Sequence, residues 1–381
     1  MTENRDDGSM IDAPALAVSP TSVPAIVAPA PREVSFGLVA GRVPLGTRRV
    51  IVRIGERILA DRPLRGRSFS LRVPMPARTF SLRVTAVDER GRRSSSVVPS
   101  VYGLPRGSEP RLRSATLDPA LGGTLRSLVR RHGGTTGVYV QDLRTGRGAA
   151  WNAAARFPAA STLKLAIAVT VLRSLDGKPA DRTRLAVLLG KMLVFSDNAA
   201  ANELEVWLAG STSAGSDRVN ETMRALGLSN SLMYGGYEMR RPAATVRTGA
   251  TPIPIRVESQ PSFGVGKYTT ASDLARLSRA VYLAAAGKGT LLTLGVNGSE
   301  ARYLLWLLAR SADAAKLGRF LSGEVLLHKA GWLPNARHDN GVIAFAGGAY
   351  VAAVLTWRVG AADELAGRVS LAALQRFRSI G

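Results

Sequence analysis

Ser161-Thr162-Leu163-Lys164-Leu165-Ala166-Ile167-Ala168-Val169-Thr170-Val171-Leu172 is the stretch on which the fold and chemistry of this chain turn. Its apolar density predicts a helix over 161–174 that packs inside a core, and the i, i+3 spacing sets the Ser161 hydroxyl and the Lys164 amine on one face. A serine hydroxyl is a poor nucleophile until a base takes its proton. A lysine desolvated by Leu163, Leu165, Ile167 and Val169 has its pKa lowered toward that task. By itself, Ser-x-x-Lys is more often an ordinary helix start with a surface lysine. Here it is the chain's only Ser-x-x-Lys, and it follows strand signals over 137–143 and 148–152.

Outward from this helix, apolar residues recur at helical spacing over 118–131, 199–208, 217–226, 271–286, 299–310 and 364–377. Thr270 with Asp273 gives one of these helices a capping-box-like start. Strand signals return over 324–329, 341–346 and 350–357. The longest apolar run, 342–357, is too short to span a membrane and contains Gly347 and Gly348, so it reads as two strands. No transmembrane segment is expected. The expected architecture over 116–381 is α+β: an antiparallel five-stranded sheet flanked by helices, with a helical subdomain.

Upstream the pattern changes. Residues 32–105 carry short β-branched runs separated by turn signals, with Phe80, Leu82, Val84 and Ala86 alternating against Ser81, Arg83 and Thr85, which predicts a small all-β, immunoglobulin-like sandwich. Residues 106–115 read as a linker. Residues 1–31, rich in Ala, Pro, Ser and Val without a period, read as a disordered tail, and their acidic start does not resemble the basic region of a signal peptide.

The chain has 381 residues, no cysteine and three histidines, so thiolate zinc sites, disulfides and cysteine nucleophiles are excluded. No metal site and no cofactor is expected. Net charge is +23 and only seven basic residues are lysines. Residues 32–113 hold 18 arginines against six acids, a face that either docks on an anionic cell-wall polymer or is simply well solvated. No zinc-finger spacing, RNP-like strand or basic helix points to specific nucleic-acid binding.

Two further short motifs follow in order. Ser196-Asp197-Asn198 precedes the helix-forming Ala-Ala-Ala-Asn-Glu-Leu, where a helix cap explains it as well. Lys329-Ala330-Gly331 closes a strand, where a glycine lets a bound chain approach an edge. Each is weak alone; their order after Ser-x-x-Lys is specific. With Gly137-Val138-Tyr139-Val140-Gln141-Asp142-Leu143, Phe157-Pro158-Ala159-Ala160, Thr269-Thr270-Ala271-Ser272-Asp273-Leu274 and His328-Lys329-Ala330-Gly331-Trp332, the chain from about 116 to 381 resembles the class A β-lactamase-like family of penicillin-recognising serine enzymes.

The resemblance implies that Ser161 is the nucleophile forming an acyl-enzyme, that Lys164 assists its deprotonation and that Ser196 relays a proton to the leaving nitrogen. It implies that Asn198 holds the substrate's amide side chain and that Lys329 attracts its carboxylate. Gly331 and Trp332 would line the substrate edge, with backbone N–H groups of Ser161 and Trp332 as the oxyanion hole. The implied ligand is a β-lactam or a peptidoglycan stem peptide, and the implied place of action is the cell envelope or exterior.

The sequence departs from the family's pattern at Ala330, which stands where a hydroxyl residue is usual, and in lacking the Ω-loop motif Glu-x-x-Leu-Asn whose glutamate activates the deacylating water. Glu238, beside Arg240 and Arg241, is the candidate base in its place. Three readings therefore stand: a β-lactamase; a slowly deacylating penicillin-binding or D,D-peptidase-like protein; and a non-catalytic cell-wall-binding protein. A Ser-His-Asp hydrolase lacks its Gly-x-Ser-x-Gly elbow. His132 reads as a helix end, His328 as a strand residue, and His338 as part of a turn with Asp339 and Asn340.

Overall fold

Eight strands form the N-terminal part of the chain: β1 (Ala25–Ala28), β2 (Val34–Ser35), β3 (Leu38–Arg42), β4 (Thr47–Ile54), β5 (Arg57–Pro63), β6 (Ser68–Arg72), β7 (Thr79–Asp88) and β8 (Arg93–Gly103). The structure is a computed structural model and describes residues 22–237, 251–264, 266–312 and 316–380. The strands make a β1-β3-β6 sheet and a β2-β8-β7-β4-β5 sheet, the latter mixed because β2 runs parallel to β8. Val39 and Phe69 from the first meet Val52, Leu82, Val84 and Val101 from the second in one core. β1 lies in the stretch read above as a disordered tail; it pairs with β3, and that pairing gives Ala25–Ala28 the order its composition does not announce.

The larger unit continues with β9 (Thr116–Leu117), α1 (Pro119–His132), β10 (Thr135–Asp142), β11 (Arg147–Trp151), β12 (Phe157–Pro158), α2 (Lys164–Arg173), α3 (Arg184–Val194), α4 (Asn198–Ala209) and α5 (Thr212–Ala225). Then come β13 (Tyr268–Thr269), α6 (Ala271–Ala285), α7 (Thr290–Thr293), α8 (Gly298–Leu308), β14 (Val325–Leu333), β15 (Ala336–Phe345), β16 (Gly348–Trp357) and α9 (Ala362–Ser379). The main sheet has the order β14-β15-β16-β10-β11-β9. It has six strands rather than the expected five: β14, β15, β16, β10 and β11 pair antiparallel, and the two-residue β9 adds itself parallel to β11. Apolar residues of α1 and α9 cover one face of the sheet. Those of α2, α3, α4, α5, α6 and α8 fill a larger core on the other. None of the described helices is long and apolar enough to cross a membrane.

Two local expectations are corrected. β14 does not end at Lys329-Ala330-Gly331 but runs on to Leu333, because Pro334 and Asn335 supply the hairpin turn into β15. His338, Asp339 and Asn340 lie inside β15, buried, and not in a turn. Each finds a partner there: His338 bonds the Pro158 carbonyl at 2.8 Å, Asp339 meets His328 at 2.7 Å, and Asn340 donates to the Lys329 carbonyl at 2.8 Å. Satisfied polar groups of this kind are tolerated in a core that would reject them unpaired.

The N-terminal unit is fastened to the larger one through Glu33. Its fully buried carboxylate accepts from Lys178 at 2.8 Å, Ser299 at 2.5 Å and Arg302 at 2.6 Å. Burial alone would raise its pKa, but Arg302, Lys178 and Ser299 together hold it below the usual carboxylate value.

Candidate active site

The polypeptide reaches Ser161 through β12, which pairs with β13, and through Ala160, whose φ of 48° is left-handed. Such a conformation costs a non-glycine residue about 1–3 kcal/mol and persists where the surroundings fix it. Here the Ala159 N–H bonds the Lys267 carbonyl at 2.9 Å, Thr162 Oγ1 bonds the Ala159 carbonyl at 2.6 Å, and His338 grips Pro158. His338 Nδ1 accepts from the Thr356 N–H at 3.2 Å, so its Nε2 carries the proton given to Pro158. Burial lowers the His338 pKa to about 4, which keeps the ring neutral and its role structural.

The expected helix over 161–174 starts three residues late, at Lys164, leaving Ser161 half-buried on the preceding turn. Every residue from Lys164 to Leu172 is buried. Lys164 is 0% exposed, and its Nζ lies 3.0 Å from Ser161 Oγ, 2.5 Å from the Ser196 carbonyl and 2.6 Å from Asn198 Oδ1. Burial, then the nearby charge of Lys329, lowers its pKa to about 7, against a smaller pull upward from Asp197. An ordinary lysine is too protonated to be a base at neutral pH; this one is divided between its two forms.

Ser196 and Asn198 reach the site because Asp197 caps α4, accepting from the Ala200 N–H at 2.7 Å, while Ser196 takes a left-handed φ of 60°. That backbone turns the Ser196 carbonyl onto Lys164 and leaves the Ser196 hydroxyl without a hydrogen bond among the described residues. Asn198 gives its oxygen to Lys164, so its amide N–H groups face outward. The cap reading of this motif is realised by Asp197, and its neighbours Ser196 and Asn198 stand beside Lys164.

The third wall is the outer edge of β14. Lys329 is 2% exposed, and its Nζ bonds the Ala330 carbonyl at 2.7 Å. In the two-residue hairpin, Leu333 pairs with Ala336, so Trp332 and Arg337 form the next, non-hydrogen-bonded pair. The Arg337 N–H accordingly turns to Thr356 Oγ1 at 3.1 Å, and the Trp332 N–H is left on the free edge of β14. A Cβ on Gly331 would stand 2.8 Å from the Ser161 nitrogen and 3.1 Å from that of Thr162, so glycine is needed for this approach. The Trp332 side chain is 62% exposed, with Arg337 5.2 Å from its ring centroid.

Tyr237 carries no motif and was not anticipated. Its ring centroid lies 4.6 Å from Lys164 Nζ and 4.9 Å from Lys267 Nζ. Its backbone N–H is held by Asn202 of α4 at 2.7 Å. Among the described residues no carboxylate bonds Ser161 or Lys164. Glu205, pushed up to about 7 by burial, is engaged by Ser216 at 2.6 Å. Glu238 lies outside the described residues. Ala330 is buried and supplies no hydroxyl beside Lys329. Among the described residues there is no cluster of histidine and carboxylate groups suited to a metal ion.

The chain belongs to the beta-lactamase enzyme family, whose sequence profile matches residues 120–183 and 175–377. Among solved structures it is similar to PBP-A, at 21% identity over 71% of this chain and 100% of that one, with a TM-score of 0.55. It is similar to a PBP-A variant held as an acyl-enzyme with penicillin G, at 21% identity, covering 70% of this chain and 100% of that one, TM-score 0.52. A β-lactamase from Sphaerobacter thermophilus DSM 20745 matches at 22% identity over 69% of this chain and 98% of its own, TM-score 0.51. At these identities the likeness speaks for the fold. No curated protein matches the sequence.

Proposed function

We propose that this protein is a serine enzyme acylated at Ser161 by a β-lactam or acyl-D-alanyl carbonyl, acting in the cell envelope. The observation that carries this reading is Lys164, buried, 3.0 Å from Ser161 Oγ, with a pKa near 7. Neutral Lys164 takes the Ser161 proton as Oγ bonds the carbonyl carbon. The oxyanion is met by the N–H groups of Ser161 and Trp332. The C–N bond then breaks, and the proton passes from Lys164 through the Ser196 hydroxyl to the leaving nitrogen. Asn198 holds the amide side chain, and Lys329 the substrate carboxylate.

One observation favours the slowly deacylating form over an efficient β-lactamase. Hydrolysis of the ester needs a base for water, and beside Lys164 the described residues place the Tyr237 ring, 4.6 Å from Nζ, and no carboxylate hydrogen-bonded to it. An aromatic face accepts no proton, so the acyl-enzyme accumulates. The test is intact-mass spectrometry and loss of β-lactam absorbance after mixing with a penicillin, on wild type, Ser161→Ala and Glu238→Gln. A persistent adduct of wild type, absent in Ser161→Ala, supports the proposal. Rapid turnover abolished in Glu238→Gln establishes an efficient lactamase with Glu238 as its base, and no adduct in wild type removes the acylating readings in favour of non-catalytic binding.

A further inference from the structure

Across the sheet from this site, a pocket of about 280 Å³ opens beside β10 and α6. β10 is three strands from β14 in the sheet, which at about 4.8 Å per strand sets the pocket roughly 14 Å from the Lys329 edge. Ser272, Ala275, Arg276 and Arg279 line it at positions i, i+3, i+4 and i+7 of α6, a single helix face, with Arg113 opposite. Tyr139 and Gln141 of β10 form the polar floor, their side chains 3.4 Å apart, and Ile253 and Ile255 form an apolar flank.

The charge here is only partly compensated, by Asp273 acting on Arg276 through space. Among the described residues Arg279 donates to the Arg113 carbonyl at 3.1 Å and Arg276 to the Gly227 carbonyl at 2.6 Å. Among the described residues none of the three arginines forms an ion pair with a carboxylate. Asp273, one turn before Arg276, gives its carboxylate to the Asn230 N–H and the Ser231 hydroxyl, each at 2.9 Å. Arg279 is partly buried, and burial with the like charge of Arg276 lowers its pKa. Arg113 and Arg276 are exposed and Arg279 is half-buried, so of the three it is Arg279 that carries a desolvation cost. A desolvated guanidinium beside another cation is unfavourable unless an anion joins it.

We propose that this pocket binds a small oxyanion ligand, a phosphate ester or a polycarboxylate, through Arg113, Arg276 and Arg279, with its carbon skeleton against Ile253 and Ile255. Planar guanidinium groups recognise both anions by paired N–H donors, and the Tyr139 hydroxyl and Gln141 amide add neutral polar contacts. The site is separate from Ser161, so its occupancy does not depend on the acylation chemistry.

The test is isothermal titration of the full chain with inorganic pyrophosphate and with tricarballylate at 0.15 M NaCl, where diffuse attraction to the net charge is screened. The expected result is saturable binding at one site, weakened at least tenfold in Arg276→Ala and in Arg279→Gln and unchanged in Arg130→Ala on α1. Binding of pyrophosphate alone assigns the phosphate-ester class, and of tricarballylate alone the polycarboxylate class. Should Arg279→Gln fail to fold, the exposed Arg276 decides. No saturable binding of either probe, or binding equal in all three variants, overturns the proposal.

Discussion

The N-terminal sandwich and the Ser161 edge carry the same kinds of charged side chain and use them in opposite ways. On the sandwich, Arg48 meets Glu89 at 3.2 Å with both side chains more than 60% exposed, and Arg72 meets Glu109 at 3.0 Å near the surface. Water screens these pairs, and they shift little when broken. At the Ser161 edge, Lys164 and Lys329 are buried within one site, and neither can dissipate its charge into solvent. Burial is what separates a solubilising cation from a base: it brings Lys164 to a pKa of about 7, where it can accept a proton and return it.

The contrast is broken most directly at Lys164. Lys164→Met, which keeps the stem and removes the amine, is expected to slow acylation by roughly 10²–10⁴-fold, read by stopped-flow mixing with a chromogenic β-lactam. An unchanged rate would make Lys164 a structural group.

The junction of the two regions should behave like the buried class. Glu33→Ala leaves Lys178 and Arg302 facing each other without their carboxylate and is expected to cost about 3–5 kcal/mol in chemical denaturation. Because the folded pKa of Glu33 is depressed, its contribution is complete above the ordinary value of 4.5 and is lost as pH falls through the folded pKa. The gap between variant and wild type should therefore narrow in acid; a gap that widens would contradict the assignment.

Gly331→Ala sharpens the comparison within the site. The new Cβ meets the Ser161 nitrogen, so the edge must shift away and carry the Trp332 N–H with it. Acylation should fall about 10²–10³-fold, as for loss of one oxyanion donor, while the melting temperature moves little by comparison. The smallest effect belongs to the sandwich surface: Arg48→Ala should change stability by under about 1 kcal/mol and leave acylation untouched.

How much of this was legible in the sequence followed burial as well. α2 and the long strands β14, β15 and β16 announce themselves because their apolar runs face a core, and the Ser196 motif because its cap has a local signature. β5 leaves no signal of its own: it is an edge strand without a buried residue, so no alternation marks it. α3 is absent from the helices expected above, since no residue of its first turn, Arg184–Val187, is fully buried. Within β15 the polar run from Arg337 to Asn340 looked like a turn, because the partners that satisfy it come from Pro158, His328 and Lys329, distant in sequence. Tyr237 left no trace, because its place over Lys164 is set by contact between segments 73 positions apart and by no spacing rule.

The central claim is that burial makes Lys164 the base for Ser161. Its most direct test is the acylation rate of the wild-type protein measured against pH by quenched mixing and intact mass. Raising pH deprotonates Lys164, so the rate should climb through a midpoint near 7 and then level. A rate flat from pH 5 to 9, or one still climbing toward the ordinary lysine value of 10.5, would contradict it.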